Sequence, residues 1–222
     1  MIYVDDQIQA YTHEQIGRWL TELPQWRRER VLAIKHDAGR RQSLLAFRLL
    51  QRGLAEEYGI TEIPPFRFNE HGKPSLPPAP PQGRGASLPA DSQSPIPWGE
   101  DGEGPYFSLS HCREAVACII DERPCGIDIE SRGRRVSDSL IRYAMNDEEI
   151  RQIAEAESMS LPQGGGREAA FLRLWTRKEA VLKLIGTGIR DSMKDVLRHC
   201  PYDVETRETE HYVLSIATQH PS

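Results

Sequence analysis

Two carboxylates two residues apart, Asp128 and Glu130 in the run CGIDIE, are well placed for chemistry in this sequence. If the run is a strand, side chains alternate, so Asp128 and Glu130 share one face and Ile127 and Ile129 the other. Acids about 7 Å apart on one face repel unless a cation lies between them, and such oxygen donors suit Mg²⁺. An exposed strand face with two acids would read the same way. A second set lies in FLRLWTRKEAVLKLIG, where Thr176, Glu179 and Lys183 recur at helical spacing. Glu179 and Lys183 are then neighbours one turn apart, an arrangement that an ordinary surface ion pair shares. Lys178 falls beside the apolar stripe of Phe171, Leu174, Trp175, Leu182 and Ile185. A lysine there snorkels to solvent or points at an anion in a crevice.

Weaker signals stand upstream. In FSLSHC, Ser108 and Ser110 share a strand face and His111 closes it, a position more often structural than functional. His71–Pro74, HGKP, is an ordinary turn sequence. Arg41, Arg48 and Arg52 line one stripe of a long helix, where they could bind phosphates or simply be solvated. From Arg27 to Arg52 eight Lys or Arg face only Glu29 and Asp37, an excess that calls for a partner or serves solubility.

The elements that must position these residues follow from periodicity. IYV is a short strand, and Thr12 with Gln15 forms a capping box for a helix to Leu23. A helix from about Ala38 to Tyr58 carries Phe47, Leu50 and Leu54 inward and stops at Gly59. YFSLSH, AVACII and CGIDIE read as consecutive strands, and Ser137 to Glu157 as one or two helices. Glu168 to Ile185 is the strongest helix, and YDVETRE and HYVLSIAT alternate like two edge strands. Residues 77–105 hold eight prolines and five glycines in 29 residues and read as a disordered insertion. Long helices on one face of short strands give an α+β fold.

Composition excludes several classes. With 38% apolar and 27% charged residues, the 222-residue chain suits a soluble globular protein. The net charge of −5 argues against bulk nucleic-acid binding. The first residues lack a signal-peptide pattern, and no apolar run approaches the ~20 residues a membrane span needs. A cytoplasmic location is therefore expected. Cys112, Cys118, Cys125 and Cys200 form no CxxC and read as packing residues.

Taken in order, GKP, FSLSH, GIDIE and WTRKEAVLK followed by GTG closely resemble the Sfp-type 4′-phosphopantetheinyl transferases, over roughly Arg40 to Gly188. The resemblance implies a pseudo-dimer of two similar α/β halves, residues 1–122 and 123–222, with the active site in the cleft between them. It implies transfer of the 4′-phosphopantetheine arm of coenzyme A to a serine of an apo acyl or peptidyl carrier protein. Asp128, Glu130 and Glu179 would hold Mg²⁺, with Mn²⁺ as a substitute. Lys178 and Lys183 would contact the pyrophosphate. Ser110 and His111 would meet the nucleotide, His111 on the 3′-phosphate with Arg48 beside it and Arg41 as a helper, and Gly72, Lys73 and Pro74 would flank the adenine. Glu179 and Lys183 would be the catalytic residues, with Glu179 or a metal-bound water as the base and Lys183 protonating the departing 3′,5′-ADP, and Glu149 would be a further acid. Two fused halves favour a monomer.

Three features depart from the family pattern: the insertion after GKP is long, the tail beyond Gly188 looks short for the last strands, and the basic segment before Arg40, with Arg27, Arg28, Arg30 and Lys35, aligns poorly. A Mg²⁺-dependent nucleotide pyrophosphatase would use the same acids. A non-catalytic carrier-binding module would keep the fold without them.

Overall fold

A computed structural model describes residues 1–77, 104–158, 166–188 and 193–220, so most of the proline-rich stretch lies outside the described residues. The chain forms β1 (Ile2–Asp5), α1 (His13–Glu22), α2 (Gln25–Leu32), α3 (Asp37–Tyr58), β2 (Arg67–Phe68), β3 (Pro74–Ser75), β4 (Tyr106–His111) and β5 (Val116–Asp121). It continues through β6 (Cys125–Ser131), α4 (Asp138–Ala144), α5 (Asp147–Ser158), α6 (Arg167–Ile185), a 3₁₀ turn (Met193–Asp195), β7 (Tyr202–Glu208) and β8 (Tyr212–Gln219). The fold is α+β, and no helix among the described residues is long and apolar enough to cross a membrane.

Local chemistry explains the helix limits. Thr12 and Gln15 close the capping box that starts α1. α3 and α6 end at Gly59 and Gly186, at φ of 66° and 82°, left-handed backbone that glycine adopts without a Cβ penalty.

Two antiparallel three-stranded sheets have the same order, β1-β5-β4 and β6-β8-β7. Each is built as strand, helices, then a hairpin whose last strand inserts beside the first. The alternation of β5 faces two cores at once. Cys118 and Ile120 pack with Phe47, Leu50 and Leu54 of α3, whereas Ala117 and Ile119 meet Ile127 and Ile129 of β6 and Leu214 and Ile216 of β8. The order of layers is therefore α3, first sheet, second sheet, α6.

The tail is long enough for its strands. β8 is the buried central strand of its sheet and, of the two tail strands, only β7 is an edge, so the reading of two edge strands fails for β8. The apolar stripe expected on α6 is also displaced. Ile185 is exposed and Leu174, Trp175 and Leu182 are only partly buried, while Leu172, Thr176, Lys178, Val181 and Leu184 are buried beside Phe171. α6 lies between the second sheet and α5, so more than one of its faces is covered and a single stripe cannot describe it. On the sheet side it comes very close: a Cβ on Gly126 would sit 1.9 Å from the Ala180 carbonyl oxygen.

Candidate active site

The seam between the sheets sets up the site. The hydroxyls of Ser108 and Ser110, both buried on β4, accept hydrogen bonds from the backbone N–H groups of Ile127 and Ile129 on β6, each at 3.2 Å. Buried N–H groups must find acceptors, and here two serines replace a strand ladder. Ser110 also donates to Asp128 Oδ1 (3.0 Å) and accepts from Lys183 Nζ (2.9 Å). One donor and two acceptor positions are thereby filled, which exhausts an ordinary hydroxyl. Ser110, expected at the nucleotide, is instead held inside the protein against Asp128.

Asp128 is 5% exposed, which removes the reading of a solvated strand face. Its Oδ1 also receives Lys183 Nζ at 2.7 Å. Glu179 and Glu130 complete the acidic group. Burial first, then the charges of Asp128 and Glu130, push the Glu179 carboxyl up to about 7. Burial and then Asp128 raise that of Glu130 as well, against Arg134 at 3.6 Å and a hydrogen bond from Trp175. Asp128 Oδ2 and Glu179 Oε1 are buried with no hydrogen-bond partner among the described residues. Unsatisfied buried carboxylate oxygens are costly. Mutually repelling acids with open oxygens suit a hard divalent cation by donor chemistry. No group of three or more His, Cys, Asp or Glu side chains among the described residues is arranged so that it could hold a metal ion, and Lys183 supplies the positive charge at Asp128.

Beside these residues lies a cleft of about 220 Å³ lined by His71, Gly72, Lys73, Pro74, Glu179 and Lys183, among others. The GKP turn reaches it by docking on the end of α6: Lys73 Nζ donates to the Leu184 carbonyl (2.8 Å) and Asn69 Nδ2 to that of Gly186 (2.8 Å). A cation there complements the helix C-terminus. Lys73 thus caps α6 while its turn walls the cleft, and burial lowers its pKa. His111 ends β4 in an exposed position, and desolvation followed by the Lys183 charge lowers its pKa. A larger recess of about 910 Å³, near Arg132, Gly166 and Glu208, contains none of the residues expected to react.

Three residues expected to contact the ligand have partners within the protein. Lys178 is fully buried, and its ammonium donates to Glu149 Oε2 (2.6 Å) and to the carbonyls of Ala144 (2.8 Å), Met193 (2.7 Å) and Lys194 (3.2 Å). With its charge met by Glu149, it joins α6 to α4, α5 and the 3₁₀ turn and has no free donor for a pyrophosphate. Glu149, whose other contact is the Asn146 N–H at 2.8 Å, belongs to that interior node. Arg41 donates to the carbonyls of Ile8 and Tyr11, both at 2.9 Å, and fastens the loop after β1. Arg48 pairs with Glu22 at 3.0 Å and lies over the Trp19 ring. The basic excess is largely internal stitching, since Arg27, Arg40 and Arg52 also bind Ser43, Ile34 and Glu56.

Trp175 and Arg134, both touching Glu130, carried no chemical signal in the sequence. Trp175 sat in an apolar stripe and Arg134 in an irregular loop.

Residues 124–218 match the model of the 4′-phosphopantetheinyl transferase superfamily. Over 237 aligned residues the chain is 22% identical to a 4′-phosphopantetheinyl transferase of Bacillus subtilis, covering 99% of this chain and 91% of that protein. It is 28% identical over 149 residues to the 4′-phosphopantetheinyl transferase AcpT of Escherichia coli (strain K12), covering 62% and 74%. It is 34% identical over 84 residues to the 4′-phosphopantetheinyl transferase gsp of Aneurinibacillus migulanus, covering 38% and 32%. Residues 124–218 therefore carry the match to the 4′-phosphopantetheinyl transferase superfamily, and the chain is similar over most of its length to a transferase of that description.

Proposed function

We propose that this chain transfers the 4′-phosphopantetheine arm of coenzyme A to a serine of an apo carrier protein, in a Mg²⁺-dependent reaction. The carrying observation is that Glu179 and Lys183 line the cleft walled by the GKP turn while Lys183 also pairs with buried Asp128, and that one buried oxygen of each acid has no hydrogen-bond partner among the described residues. The shared order of the two sheets supports a reading as two similar halves, 1–122 and 123–222, with the cleft between them.

In the reaction the carrier serine Oγ attacks the phosphorus attached to the pantetheine arm. The bond from that phosphorus to the bridging oxygen breaks, and 3′,5′-ADP leaves. Asp128, Glu130 and Glu179 would hold Mg²⁺, which when bound neutralises charge on the pyrophosphate. Glu179 is the carboxylate that would take the serine proton. Lys183 offers positive charge, and a proton, to the departing phosphate. His111, close enough to feel the Lys183 charge, would contact the nucleotide.

The test is intact-mass analysis of an apo carrier protein incubated with this chain, coenzyme A and Mg²⁺. Addition of one phosphopantetheine arm, abolished by EDTA, is the expected result. Cleavage of coenzyme A with no carrier adduct would instead mark a nucleotide pyrophosphatase.

A further inference from the structure

Lys183 reaches Asp128 from α6 across 55 residues of sequence, and Ser110 closes the triangle. Nζ lies 2.7 Å from Asp128 Oδ1 and 2.9 Å from Ser110 Oγ, while Ser110 donates to the same Oδ1 at 3.0 Å. The acid is 8% exposed and the lysine side chain 30% exposed, so one end of the pair is fixed inside and the other borders solvent.

The other lysine of this helix provides the contrast. Lys178 has no exposed side-chain surface and four acceptors, and it cannot move without leaving Glu149 buried and unpaired. Lys183 has Asp128 and Ser110, a flexible four-carbon stem and open space beside it. Asp128 is also restrained independently of the lysine, because Ser110 is itself held by the Ile129 N–H. An ammonium and a divalent cation on one carboxylate repel each other.

We propose that Lys183 is a tethered counter-ion of the unloaded site: it neutralises buried Asp128, and it gives up that contact when a divalent cation binds. The lysine is then released toward the anionic ligand, while Ser110 keeps Asp128 oriented. The proposal rests on the reading of Asp128 as a cation ligand, and its test separates the two.

The full chain, without coenzyme A, is titrated with Mn²⁺ while free ion is followed by electron paramagnetic resonance. Lys183→Gln should bind Mn²⁺ at least about fivefold more tightly than the parent, because even water-screened repulsion between unit charges near 4 Å is worth that factor. Lys183→Arg, which keeps the charge, should stay close to the parent. Asp128→Asn should lose Mn²⁺ binding alone and in combination with Lys183→Gln. Equal or weaker binding by Lys183→Gln, with Asp128→Asn still defective, overturns the counter-ion role and leaves the cation reading standing. Parent-like binding by Asp128→Asn overturns both. Should Lys183→Gln melt well below the parent, Lys183→Met takes its place, and a failure to tighten counts against the proposal in the same way.

Discussion

α3 packs on a sheet ordered β1-β5-β4 and α6 on one ordered β6-β8-β7, yet their charged residues are disposed of differently. On α3, Arg40, Arg41, Arg48 and Arg52 each find a partner within the first half, on a carbonyl or on an acid. On α6, Lys178 is likewise sealed inside, but Glu179 retains an unsatisfied buried oxygen and Lys183 borders the cleft. Two similar frameworks therefore differ in how completely their polar groups are satisfied. The proposed reactive groups lie where satisfaction is incomplete, because an unpaired buried carboxylate favours a proton or a cation.

Four perturbations test that contrast, beginning with the largest. Lys178→Ala removes the partner of buried Glu149 and should cost about 3–5 kcal/mol, read as a lowered chemical-denaturation midpoint. Replacing both members by apolar residues of similar size should recover most of that loss. If Lys178→Ala folds normally and only coenzyme A binding suffers, the interior assignment is wrong.

Asp128→Asn keeps the shape but removes the charge, and transfer should fall roughly a hundredfold to a thousandfold in kcat/KM. Full transfer by this variant would refute the metal assignment.

The Glu179 carboxyl supplies a pH test. Its pKa in the folded protein, about 7, exceeds the ordinary 4.5, so the folded state binds the extra proton. Its contribution to stability is present below pH 4.5 and is lost as pH rises through about 7. In EDTA, the melting temperature should decline over that window, and Glu179→Gln should flatten the decline. A parent protein whose profile matches that of Glu179→Gln would contradict the desolvated acid.

Arg41→Ala has the smallest expected effect on the reaction. It should cost about 1.5–3 kcal/mol of stability through two charged hydrogen bonds, with the KM for coenzyme A changed by less than about threefold. A tenfold rise in KM would return α3 to the ligand site and erase the contrast between the helices.

What the sequence alone determined is local. The strand period placed Asp128 and Glu130 on one face, and the helical period placed Glu179 beside Lys183, because backbone geometry fixes these relations wherever the elements form. Thr12, Gly59 and Gly186 marked element ends for the same reason, and the order of the short motifs carried the family. What only the tertiary structure decided is which polar groups are neutralised and by what. Lys178 and Lys183 lie five residues apart in one motif, and their fates depend on Glu149, 29 residues from the first, and on Asp128, 55 residues from the second. The burial of β8 and the turning of Ser110 toward Asp128 were equally invisible, since each depends on a neighbouring strand distant in sequence. Desolvation is a property of the packed assembly, and no local period encodes it.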